Sequence, residues 1–141
     1  MARLNGLLET CIYVDDLEAA KRFYLDLFGF DVLRSDERFC ALDAGRGTVL
    51  ILFRRGATTS AVQLPGGLVP SHDGSGPAHF AFAAPLDELP RWKEELRRRN
   101  IPLESEATWP MGGRSLYFRD PDGHLVELAS PGIWRASAPP L

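Results

Sequence analysis

The chain has 141 residues, 45% hydrophobic and 25% charged, with a formal net charge of −3, which suits one soluble domain with a substantial core. The mild acidity excludes the basic footprint of a nucleic-acid or anionic-membrane binder. No apolar run reaches the ~18 residues of a membrane span. MARLNGLLET carries no signal-peptide core, and Cys11 and Cys40 alone make no disulfide framework, so a cytoplasmic protein with buried, reduced thiols is expected.

Residues 7–14 predict a strand with Leu8, Thr10, Ile12 and Val14 on one face and Leu7, Glu9, Cys11 and Tyr13 on the other. Asp15 and Asp16 supply an N-cap for a helix over 17–28, where Leu17, Ala20, Phe23, Tyr24, Leu27 and Phe28 recur at helical spacing. Gly29 stands where a left-handed C-terminal cap belongs. Strands are predicted at 30–34, 38–42 and 48–54, the last two joined by a turn at 44–47.

Residues 56–76 are rich in Gly, Pro, Ser and Thr without a sustained period, and either a lid over a site or a plain linker fits. The order then repeats. A strand over 79–83 precedes a helix over 85–99 that carries Leu86, Leu89, Trp92, Lys93 and Leu96 on one side. Pro90 falls near its first turn, Arg97, Arg98 and Arg99 complement its C-terminal dipole, and Asn100 takes the capping place of Gly29. Strands follow at 102–108, 114–119 and 124–129, and the tail from Pro131 packs along the surface or frays.

The stretch RSLYFRDPDGHLVELAS organises the second half: two strands around an Asp120-Pro121-Asp122-Gly123 turn. Glu127 lies mid-strand between Leu125 and Ala129 of its face, either as a solvated residue or as a metal ligand or base inside a cavity. An internal duplication bears on that choice. Residues 9–14 overlay 79–84, Gly29-Phe30 overlays Asn100-Ile101, and 47–51 overlays 123–127. Glu9, His79 and Glu127 then share the face opposite the helix-packing residues. A cation offsets the desolvation of two carboxylates, and such an O, N, O set suits one divalent Mn, Fe, Ni, Zn or Mg with open positions for water or substrate.

The segments YVDDLEAAKRFYLDLFGF, GPAHFAF and YFRDPDGHLVEL resemble the vicinal oxygen chelate superfamily over about residues 5–132. That group covers glyoxalase I, extradiol dioxygenases, fosfomycin-resistance enzymes and bleomycin-binding proteins. The resemblance implies an α+β fold of paired βαβββ modules, with two curved mixed sheets around a central cavity and the helices outside. One domain then spans 1–141: a first module at 5–55, a connecting loop at 56–76, a second module at 77–130 and a tail at 131–141.

It also implies a metal held by His79 and Glu127, with Glu9 where many members carry a first-strand His. Ile51 stands where glyoxalase I places a further Glu, so the set departs from that enzyme's four ligands. The two-His-one-carboxylate set of the ring-cleaving enzymes likewise becomes one His and two carboxylates, which favours a harder cation than Zn.

The leading expectation is a glyoxalase-like metal-dependent enzyme on a small vicinal-oxygen substrate, moving a proton through a metal-stabilised enediolate in lyase or isomerase chemistry. Glu9 and Glu127 are the expected catalytic residues, and the protein is expected to form a homodimer. The alternatives are a ring-cleaving dioxygenase and a metal-free ligand-binding protein of the bleomycin-resistance kind. Tyr117 reads as a wall residue, His124 and His72 as exposed loop residues, and Arg114 and Arg119 as anion anchors or surface ion pairs. Gly112-Gly113 after Trp109-Pro110-Met111 marks a loop rim with close backbone approach. No Walker loop, nucleophile elbow or GxGxxG occurs, which removes nucleotide and triad chemistry.

Overall fold

Strand, helix, then three strands: each half of the chain folds in that order. The computed structural model describes residues 1–138 and divides into two compact units, Met1–Gly76 and the residues from Pro77 onward.

The first unit holds β1 (Glu9–Val14), α1 (Leu17–Phe28), β2 (Asp31–Ser35), β3 (Phe39–Gly45) and β4 (Thr48–Arg54). The sheet order is β1-β4-β3-β2, with β1 parallel to β4 and the other pairs antiparallel. Asp16 caps α1 by accepting the Ala19 N–H at 3.0 Å, and Gly29, at φ 68°, closes it with its N–H on the Leu25 carbonyl. Leu17, Ala20, Tyr24 and Leu27 of the helix are buried, as are Ile12, Val14, Cys40, Leu42, Leu50 and Leu52 from one face of the sheet. Each such Leu or Ile contributes about 1.5–3 kcal/mol by leaving water. The other face carries Glu9, Cys11, Tyr13, Val49, Ile51 and Phe53.

In the second unit β7 (His79–Ala83) precedes a 3₁₀ turn (Leu86–Glu88), α2 (Leu89–Arg98), β8 (Ser105–Thr108), β9 (Arg114–Arg119) and β10 (Leu125–Ala129). The order is β7-β10-β9-β8, again with one parallel pair, β7 with β10. Leu116, Phe118, Val126 and Leu128 form the buried face, and α2 contributes buried Leu89 and Leu96. The registers repeat as well. Glu9 pairs Val49 where His79 pairs Leu125, so Ile51 and Glu127 hold the same place in their sheets.

Several boundaries differ from the sequence reading for local reasons. The helix expected from residue 85 starts at Leu89, because Pro90 has no N–H to give and fits only the first turn. The strand expected over 102–108 pairs only at Ser105–Thr108, past Pro102. Asn100 does adopt the left-handed conformation, at φ 56°. The 56–76 segment is not structureless: β5 (Val62–Leu64) and β6 (Gly67–Val69) form a hairpin across Pro65-Gly66. Cys40 is buried as expected, but Cys11 is exposed, because it lies on the sheet face opposite the one that packs under α1. No helix among the described residues is long and apolar enough to cross a membrane. Within the tail Trp134 is exposed, and residues 139–141 lie outside the described residues.

Candidate metal-binding site

Three neighbouring strands of the second unit bring their polar residues to one face. His79 of β7, Glu127 of β10, and Ser115 and Tyr117 of β9 share it, because directly paired residues point to the same side of a sheet. His79 Nε2 lies 3.2 Å from Glu127 Oε1, with the imidazole half exposed and the Glu127 side chain only 9% exposed. Glu127 is therefore not the solvated surface residue that strand alternation allows.

The hydrogen bonds around this pair fix its chemistry. His79 Nδ1 lies 3.0 Å from the Leu125 carbonyl, which only accepts, so Nδ1 carries a proton. In the neutral ring Nε2 then holds a lone pair aimed at a carboxylate oxygen, and a proton or a cation must settle that juncture. Ser115, fully buried, donates its hydroxyl to Glu127 Oε2 at 2.6 Å and accepts the Trp109 Nε1–H at 2.9 Å. One carboxylate oxygen is thus committed and the other faces the imidazole. Adjacent ligands of a cation with ~2.1 Å bonds stand about 3.0–3.4 Å apart, so the pair fits two ligands of one divalent ion. A ligating His whose second nitrogen is held by a carbonyl is the usual arrangement in metal sites.

Glu9, the third residue expected at the site, heads β1 in the first unit and is exposed. Ile51 stands at the repeat position of Glu127, so β1 and β4 bring one carboxylate, Glu9, to that face where β7 and β10 bring an imidazole and a carboxylate. Among the described residues no group of three or more His, Cys, Asp or Glu side chains is clustered as a metal ion would need.

The first unit has a second feature on the Glu9 face. His72, expected as an exposed loop residue, is half-buried: its Nδ1 is hydrogen bonded with the Tyr13 hydroxyl at 2.6 Å and its ring meets Phe53 edge-on at 4.7 Å. The His72 N–H reaches the Thr58 carbonyl at 2.9 Å, and Arg55 spans Asp15, the Tyr13 carbonyl and the Gly74 carbonyl. The end of the 56–76 segment is therefore pinned on the sheet. Burial first, then the neighbouring Cys11 thiol, pushes the Tyr13 phenol above its ordinary pKa.

Among the remaining candidates, His124 corrects the sequence reading most plainly. It is 1% exposed rather than an open turn residue, with Nδ1 accepting the Ala78 N–H at 2.8 Å and its own N–H on Asp120 Oδ1. Tyr117 stands beside the site with its ring 6.3 Å from that of His79. Arg119 pairs with Glu104 at 2.8 Å and Arg114 with Glu106 at 3.5 Å, the surface ion pairs that sequence left open.

A mixed α+β fold of two βαβββ units with an imidazole–carboxylate pair on one sheet defines the class. Residues 6–128 match the Glyoxalase/Bleomycin resistance protein/Dioxygenase superfamily, and the chain belongs to that family. It is similar to a crystal structure of lactoylglutathione lyase from Agrobacterium tumefaciens: 32% identity, 94% of this chain and 98% of that one, TM-score 0.86. It is 27% identical over 126 residues to metallothiol transferase FosB of Staphylococcus epidermidis, covering 89% of this chain and 81% of that protein. The fosfomycin resistance protein FosX of Listeria monocytogenes shares the fold at TM-score 0.65 and 20% identity, over 91% of this chain and 94% of that one.

Proposed function

We propose that the chain is a glyoxalase-like metalloenzyme. One divalent cation, held by Glu9, His79 and Glu127, serves a small substrate that presents neighbouring oxygens. The observation that carries this reading is the His79–Glu127 pair at 3.2 Å, with the outer atom of each side chain already hydrogen bonded. The likeness to a lactoylglutathione lyase over nearly the full length of both chains supports proton transfer as the reaction. Thiol transfer is the second reading, favoured by the metallothiol transferase relative.

When bound, the cation supplies Lewis-acid polarisation of the substrate oxygens. The chain's own residues supply the rest. Glu127, fixed through Oε2, presents Oε1 to the site, and exposed Glu9 is free to turn toward a substrate. Either carboxylate, when displaced from the cation, would take the proton from a carbon beside a carbonyl and return it to the neighbouring carbon, work of the kind general bases do for about 10²–10⁴-fold in rate. Tyr117 walls the site beside His79. The two modules serve as one domain, and we place the protein as a homodimer in the cytoplasm.

The test is turnover of a hemithioacetal panel, and of small electrophiles with a thiol, by protein loaded with Mn, Fe, Ni, Zn or Mg. Glu9→Gln and Glu127→Gln are each expected to lower turnover at least 10²-fold. Unchanged turnover in both variants overturns the assignment of the catalytic carboxylates. Thiol addition without hemithioacetal turnover exchanges the two readings.

A further inference from the structure

The loop between β8 and β9 carries Trp109-Pro110-Met111-Gly112-Gly113, and it ends on Glu127. The Trp109 indole N–H donates to Ser115 Oγ at 2.9 Å, and Ser115 Oγ donates to Glu127 Oε2 at 2.6 Å. The direction of this relay is forced. An indole nitrogen has a proton and no lone pair to offer, while an ionised carboxylate has only lone pairs. The single hydroxyl proton of Ser115 therefore goes to Glu127, and its short bond lies in a fully buried position where charge-assisted bonds are strong.

The loop is built to hold that geometry. The Trp109 N–H reaches the Gly113 carbonyl at 2.8 Å, and the Gly112 N–H reaches back to the Trp109 carbonyl at 2.9 Å. The Gly113 N–H then bonds the Gly132 carbonyl at 3.2 Å. A Cβ at Gly113 would lie 2.5 Å from the Gly132 carbonyl carbon, so the two backbones touch at a place where only glycine fits. Both ends of the relay rest on fixed backbone.

We propose that Trp109 and Ser115 are positioning residues for metal ligation by Glu127. They engage Oε2, which leaves Oε1, on the side of His79 Nε2, as the oxygen that would meet a cation. This rests on the metal reading above. Neither residue touches the metal; both act through Glu127. Outer-shell partners of this kind typically govern metal affinity by 10–100-fold.

The experiment is a Mn(II) titration of the full chain, followed by the free-ion electron paramagnetic resonance signal, on wild type, Ser115→Ala, Ser115→Thr, Trp109→Phe and His79→Ala. Thermal melts check folding. Carboxylate infrared difference spectra read the ligation mode. Ser115→Ala and Trp109→Phe are expected to bind about 10–100-fold more weakly, with altered carboxylate splitting. Ser115→Thr, which keeps the hydroxyl, is expected to stay near wild type. If wild type binds Mn(II) and both Ser115→Ala and Trp109→Phe stay within twofold of it, the relay is overturned and the metal reading stands. If wild type binds no more than His79→Ala, both fall together. Should Ser115→Ala not fold, Trp109→Phe and Ser115→Thr decide the question between them.

Discussion

Gly123 and Gly132 both hold positive φ, at 82° and 94°, but their surroundings differ. A Cβ at Gly123 meets nothing within 4 Å, whereas one at Gly132 would lie 2.4 Å from the Gly113 nitrogen and 2.9 Å from the Met111 carbonyl oxygen. Alanine at either site carries the left-handed penalty of about 1–2 kcal/mol. At Gly132 the two backbones must also part by roughly an ångström. That adds about 1–3 kcal/mol of overpacking and about 1 kcal/mol for the Gly113 N–H bond to the Gly132 carbonyl. Gly123→Ala is thus expected to cost about 1–2 kcal/mol and Gly132→Ala about 3–6 kcal/mol, a large share of a stability of ~5–15 kcal/mol. Urea unfolding at equal m-values measures the difference. Costs that agree within about 0.5 kcal/mol would refute the claim that backbone contact, rather than φ alone, requires glycine at Gly132.

Other consequences follow from single contacts. His124→Ala removes the acceptor of the Ala78 N–H in a fully buried position and is expected to cost about 2–4 kcal/mol, read by denaturant melts. Tyr13→Phe deletes the 2.6 Å bond to His72, and at about 1 kcal/mol the His72 amide should exchange hydrogen about fivefold faster, read by NMR. Burial holds the Cys40 and Tyr13 protons more tightly in the folded chain than in the unfolded one. Above ~8.5, the ordinary thiol pKa, the unfolded chain binds fewer protons, so stability is full below that pH and declines as pH rises through the folded values. Urea melts at pH 7.5, 9 and 10 should show that decline, and a flat profile would contradict it.

Much of this architecture is written in pattern rather than in letters. The overlay of residues 47–51 on 123–127 corresponds to a shared sheet register, because alternation pins which residues face the helix. Gly29 and Asn100 announce their helix ends because both accept the left-handed conformation that most residues avoid. What escaped were the residues whose role depends on a distant partner. His124 follows a turn glycine and looks solvated, yet the Ala78 N–H needs an acceptor there and the chain closes over it. Ser115 passes for the polar half of a strand alternation. Its signal was that it shares a face with Glu127 while Trp109, six residues earlier, has an N–H to satisfy. The Pro65-Gly66 pair signalled a hairpin, but the short flanks Val62–Leu64 and Gly67–Val69 gave no period to read. Docking of His72 on Tyr13 joins residues 59 positions apart and leaves no local trace.

The central claim is a cation bound through His79 and its partner carboxylates. Elemental analysis of the purified chain after dialysis against mixed divalent metals, with His79→Ala beside it, tests that claim most directly. The account predicts about one metal per chain in wild type and a loss of it in the variant. Wild type that retains no metal would contradict it and leave a metal-free ligand-binding protein in its place.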